Sequence, residues 1–182
     1  MEYAVLSPDT QKTFQEIQQR IRRLQNWGSI ASLKNLGLPS GDQVGASFVS
    51  LKQLASSYSP DEQLAFLLWN TQKREEQIIA CLLLPKKINK EKITQLIQNC
   101  YNFEVAEYLG SFFLYNFEKL TEIATEWINS EKPYMQIAAL TACARHLILF
   151  KSQPAISKDF FNNLIHNDYK DKYVQLVARR YR

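Results

Sequence analysis

The sequence predicts an all-α fold in which short helical hairpins stack into an α–α superhelix. Three observations carry that prediction. Five glycines and six prolines among 182 residues are about half of average usage, which disfavours both a turn-dense β chain and a low-complexity one. Hydrophobic residues make up 46% of the chain, enough to bury a core and to exclude disorder. Apolar residues recur at helical spacing in one segment after another, with about a turn of punctuation between segments.

The first helix opens at Ser7-Pro8-Asp9, where the N–H that proline lacks would have had no partner anyway, and Phe14, Ile17, Ile21 and Leu24 form its apolar stripe. Gly28, Gly37, Gly41, Gly45 and Pro39 fall between Trp27 and Ala46, so a loop or short-helix connection follows, without the residue order of a phosphate loop. The next helix spans 47–58. Ser59-Pro60-Asp61-Glu62 then starts another in the manner of a capping box, with Leu64, Leu67 and Leu68 inside it. A further helix runs from about Lys73 to Leu84, where Pro85 stops it. Segments at about 89–100, 103–115, 117–129, 133–149, 156–166 and 169–182 complete the chain.

Helix starts near 60, 89 and 117 open successive two-helix units, a repeat of about 28 to 30 residues with a longer last unit. Such a hairpin buries its inner stripe only by stacking on its neighbours, as in an α-solenoid. A closed bundle would use fewer, longer helices. The expected organisation is an N-terminal helix and connecting loop over 1–45 and helical repeats over 46–182, a single domain overall.

Twenty-two Lys and Arg against 18 Asp and Glu leave a formal charge of +4, which permits an anionic partner without naming one. Cys81, Cys100 and Cys143 are odd in number, far apart and free of any C-x-x-C spacing, so they are expected to be buried thiols in a reducing cytoplasm rather than a disulfide framework or zinc site. The longest apolar run, Ile78 to Leu84, is far short of the ~20 residues that span a bilayer. Charges scattered through residues 1–25 leave no apolar core for a secretory signal. A cytoplasmic protein with no membrane contact, no metal and no cofactor is expected.

Two stretches carry a resemblance to a known family. Gly45 to Tyr58, GASFVSLKQLASSY, is similar to the Gly-Val-Ser-x-Pro-x-(Leu/Ile)-Arg-Lys-(Leu/Ile)-Ala entry helix of the DNA alkylation repair proteins. Leu64 to Lys87, LAFLLWNTQKREEQIIACLLLPKK, resembles that family's Leu-Ala-x-x-Leu-Trp segment, with its acidic residue and Leu-rich helix. The resemblance covers about 45–150 and implies a HEAT-like repeat fold, duplex DNA as partner, alkylated or not, and excision of positively charged alkylated purines. The family's Trp-Asp-x-x-Asp turn falls on Phe103-Glu104-Val105-Ala106-Glu107, so the implied catalytic residues are Phe103, where the family has Trp, and Glu107, where it has the Asp that stabilises the cationic sugar. Its Arg-Arg-Ile-Ala-like run falls on Met135-Gln136-Ile137-Ala138, with neither arginine. Repeats beyond Arg182 that complete the DNA cradle, including a further aromatic, are also expected to be missing.

The residues themselves leave the site open. In the helix from 103, Val105, Tyr108, Leu109 and Phe112 form an apolar stripe, with Phe103, Glu107 and Gly110 on the opposite face. An aromatic and a carboxylate one turn apart, beside a glycine that permits close approach, suit base stacking and a negative charge held against a developing oxocarbenium ion. They equally suit a solvated glutamate and an aromatic staple. His146 lies opposite the Ile137, Thr141, Ala144, Ile148 stripe, without ligands at metal spacing, and Glu75 and Glu76 beside Lys73 and Arg74 read as an exposed mixed-charge turn. Basic residues gather at Arg20, Arg22 and Arg23, at Lys86, Lys87, Lys90 and Lys92, at Arg145, and at Lys170, Lys172, Arg179, Arg180 and Arg182. Of these, Lys86, Lys87, Lys90, Arg145, Arg179, Arg180 and Arg182 are the expected DNA contacts, with Tyr169, Tyr173 and Tyr181 available for stacking. The functional expectation is a DNA-binding helical-repeat protein whose base excision is weak or absent; the alternative is a non-enzymatic scaffold that takes a protein partner.

Overall fold

Capping chemistry sets where most helices begin. The computed structural model describes residues 7–35, 43–152 and 154–182; Gly37, Pro39 and Gly41 lie outside them. The described residues are 69% helical, and no strand occurs among them. Its contacts divide into two compact units, Met1–Ile88 and Asn89–Arg182.

The first unit holds α1 (Pro8–Arg22), α2 (Trp27–Asn35), α3 (Phe48–Ala55), α4 (Glu62–Asn70) and α5 (Arg74–Leu83). Side-chain oxygens of Ser7, Ser47 and Asp61 accept the first free N–H groups of α1, α3 and α4. The cap of α4 is therefore Asp61, not Ser59, because the Asp61 N–H is already bound to the Leu83 carbonyl and its side chain is left to receive Leu64 N–H at 2.7 Å. A turn with Gln72 at φ 54° returns the chain from α4 into α5, which packs against it. Ile17, Ile21, Leu51, Leu68, Trp69, Ile78, Ile79 and Leu83 are fully buried between these helices, and each such side chain contributes about 1.5–3 kcal/mol.

The second unit is organised around one central helix. Its elements are α6 (Lys90–Ile97), α7 (Phe103–Tyr108), a π turn (Leu109–Phe113) and a 3₁₀ turn (Leu114–Asn116) continuing from it, α8 (Leu120–Ile128), α9 (Pro133–Leu149), α10 (Lys158–Ile165) and α11 (Lys172–Arg180). Pro133 opens α9 as expected, and α7, α8, α10 and α11 all pack on it. That is why Met135, His146 and every residue from Ile137 to Ala144 are buried. The expected single stripe on this helix is corrected accordingly. Ile148 is exposed at its end, and His146 is buried with both ring nitrogens occupied: Nδ1–H donates to the Tyr115 carbonyl at 2.7 Å and Nε2 accepts Ala155 N–H at 2.8 Å.

Helix starts at Glu62, Lys90 and Leu120 keep the spacing read from the sequence, and α10 follows after the longer interval. No helix among the described residues is long and apolar enough to cross a membrane.

Candidate functional site

Asn102 builds the entry to α7. Its side chain, buried, accepts Val105 N–H at 2.9 Å, and its backbone carbonyl accepts the Cys100 thiol at 3.2 Å. The helix that follows puts Phe103 and Glu107 on one face, a turn apart. That face meets α11. The Phe103 ring stacks on Tyr173, centroids 4.4 Å apart and planes at 17°, and Lys172 Nζ lies 4.8 Å from the centre of the Tyr173 ring. Glu107 accepts a bidentate pair from Arg180, Nη1 to Oε2 at 2.6 Å and Nη2 to Oε1 at 3.3 Å. The Glu107 side chain is 21% exposed and that of Arg180 48%. Glu107 in turn raises the guanidinium above its ordinary value. Two expected DNA-facing groups of the last helix thus occupy the two expected catalytic groups of α7.

Gly110 does not belong to this face. A Cβ there would stand 2.5 Å from the Ala138 carbonyl oxygen and 3.0 Å from Ala142 N, so the glycine serves the close approach of the π turn to α9. Five-residue hydrogen bonding through 109–113 rotates the later side chains relative to an α-helix. The buried set becomes Val105, Ala106, Leu109, Gly110 and Phe113, while Tyr108 and Phe112 are only half-buried. Where the family's arginines would stand, Met135 is a core side chain and Gln136 donates to the Ile128 and Ser130 carbonyls at 3.1 and 2.7 Å, closing the end of α8.

The expected phosphate contacts separate by environment. Lys86, Lys87, Arg145 and Arg179 are exposed, and none has a hydrogen-bonding or ionic partner among the described residues. Lys90 instead sits between Glu122 and Glu126, at 2.5 and 2.9 Å, and both carboxylates raise its ordinary value. Arg180 is held by Glu107, and Arg182 Nε donates to the Ile165 carbonyl at 2.8 Å. Arg20 is engaged by Glu16 and by the Tyr58 hydroxyl.

The reading of Glu75 and Glu76 as an exposed turn is also corrected. Arg74, Glu75, Glu76 and Gln77 are all buried. Glu75 Oε1 accepts Gly45 N–H at 2.9 Å and Arg74 Nη1 at 3.0 Å, and the same Nη1 donates to the Ala46 carbonyl at 3.0 Å. The two stretches that carried the family resemblance therefore meet: the acidic residue of the second clamps the opening glycine of the first. Glu75 Oε2 has no hydrogen-bond partner among the described residues. Gly45 is at φ +72°, and a Cβ there would lie 2.4 Å from the Asn26 carbonyl oxygen. Burial pushes the Cys100 and Cys143 thiols up to about 12, and all three cysteines are buried, with no disulfide among the described residues.

These features define a class, an all-α protein of paired short helices with an aromatic–carboxylate pair on one face of its seventh helix. More particularly, the chain belongs to the DNA alkylation repair enzyme family, whose profile it matches over residues 17–167. Comparison with curated proteins and with solved structures returns no match.

The sequence singled out Phe103 and Glu107 and, separately, Tyr173 and Arg180. Their pairing was missed, and the signal for it is the seven-residue spacing that places Tyr173 and Arg180 on one face of α11.

Proposed function

We propose that the protein is a cytoplasmic binder of duplex DNA that releases alkylated purines weakly or not at all. The observation that carries this reading is the double occupation of the α7 pair by α11. Excision breaks the bond between the sugar C1′ and the base nitrogen; the electron pair leaves with the cationic base, C1′ becomes electron-poor, and water adds there with loss of a proton. A carboxylate lowers that barrier only to the extent that its charge is free in the transition state. Glu107 already shares its charge with a guanidinium, and the Phe103 face that would receive a base carries Tyr173. Losing one such contact costs about 10²- to 10³-fold in rate. Four exposed cations without a side-chain partner among the described residues, Lys86, Lys87, Arg145 and Arg179, remain for phosphates, and three buried thiols outside any disulfide suit a reducing compartment.

The test pairs two assays on the same protein, gel titration of duplex DNA at low salt and base release from methylated duplex. Retention of DNA with little or no release is expected, and Glu107→Ala should leave retention unchanged. Rapid release that Glu107→Ala does not slow would overturn the assignment of Glu107, and absence of any retention would overturn DNA as the ligand.

A further inference from the structure

The second unit carries a groove of about 370 Å³ where the last turns of α9, the start of α10 and the residue after α11 come together. Its floor is Leu147, Ile148, Phe161 and Tyr181, with the Phe161 and Tyr181 rings edge to face at 6.0 Å. Lys151 and Lys158 line it as well; no acidic residue does, and neither lysine has a partner among the described residues. Of the floor residues, Ile148 is 54% exposed. An apolar residue exposed singly needs no explanation, but an exposed isoleucine that lines an apolar groove does. Ala155, next to the groove residue Pro154, is also braced, because His146 Nε2 receives the Ala155 N–H and the Ala155 carbonyl receives the Thr121 hydroxyl. A partner entering a wall already held in place pays little to order it.

We propose that this groove docks an acidic amphipathic helix of a partner protein. The apolar floor takes side chains from one face of such a helix, in the groove-binding mode of peptide recognition. The flanking carboxylates meet Lys151 and Lys158, whose charges nothing else in the described chain neutralises. A nucleobase is the poorer fit, since a base-reading pocket presents several hydrogen-bonding groups to the base edge, whereas the polar side-chain groups lining this one are two ammonium groups and a phenol. The groove adjoins the α7–α11 contact through Tyr181, which interacts with the neighbouring Arg180, but Phe103 and Glu107 do not line it, and the proposal stands whether or not the chain excises bases.

The experiment uses the full chain and a fluorescent, designed helical peptide of about 16 residues, with leucines on one face and glutamates flanking them. A counterpart carries lysines in place of the glutamates. Saturable binding of the acidic peptide is expected, lost in Ile148→Ser. Reversing Lys151 and Lys158 to Glu should weaken the acidic peptide by about tenfold, two exposed pairs at about 0.7 kcal/mol each, and strengthen the basic one. Amide shifts induced in the wild-type chain should map to 144–161, a readout that needs no variant to fold. Equal binding of both peptides, displacement by a single-stranded thymidine oligonucleotide, or a concentration-dependent dimer that Ile148→Ser dissolves would each overturn the proposal.

Discussion

At Glu107 a single guanidinium separates a free carboxylate from a spent one. Arg180→Ala removes both hydrogen bonds at once and is expected to raise the affinity for a duplex carrying a cationic methylated purine relative to an unmodified duplex, while Arg180→Lys restores part of the quenching. Fluorescence anisotropy with the two duplexes checks this; identical ratios in wild type and Arg180→Ala would show that the pair does not screen the site. The lysines give a second contrast within a few residues of chain. Lys86 and Lys87 are free, so reversing both to Glu should weaken all duplexes alike, since phosphate contacts carry no base information. Lys90 is held between two glutamates. Its reversal would gather three carboxylates, and thermal melting should register a larger loss than DNA titration does.

Among the elements, the π turn and the buried clamp are the two most sensitive to change. Gly110→Ala drives a methyl into the Ala138 carbonyl and should cost about 1–3 kcal/mol in denaturant unfolding, the usual range for overpacking. Ser111→Ala, at a half-exposed neighbour, should cost little. Arg74→Met strands the Glu75 carboxylate inside the first unit and should cost about 3–5 kcal/mol; a near-neutral result would mean that the carboxylate finds another partner. Helix order and type were legible because punctuation and periodicity are local: Pro133 and the apolar run after it yield α9 from Pro133 to Leu149. What was not legible is set at long range. Lys73-Arg74-Glu75-Glu76 has the composition of a solvated turn, and the groups that make burial of Arg74 and Glu75 tolerable include the Gly45 amide and the Ala46 carbonyl, about thirty residues away. The partners of Phe103 and Glu107 lie on a helix some seventy residues further along, a distance over which no periodicity informs.

For the whole molecule, stability and binding should both follow from charge. Burial lifts the Glu76 carboxyl above its ordinary 4.5. The folded chain therefore keeps that proton to higher pH than the unfolded chain does. The contribution is fully present below the ordinary value and is lost as pH rises through the folded one. Glu76→Gln should flatten the fall in stability as pH rises above the ordinary 4.5, read from urea midpoints; parallel profiles would remove Glu76 as the cause. Four free cations acting as phosphate contacts should give a log–log salt dependence of DNA binding with slope near −3.6, at about 0.9 counterion per contact. A salt-independent titration would leave them as ordinary solvated side chains. The π turn at 109–113 reaches beyond its own helix. Such a turn holds one residue more than an unbroken helix of the same length. Aligned with a relative whose corresponding helix is unbroken, the chain stays in step through Tyr108 and then slips by one until a gap absorbs the extra residue. In such a comparison Phe103 and Glu107 precede the slip, while for Met135 and Gln136 the helix face, rather than the column of an alignment, must decide which side chain corresponds to which.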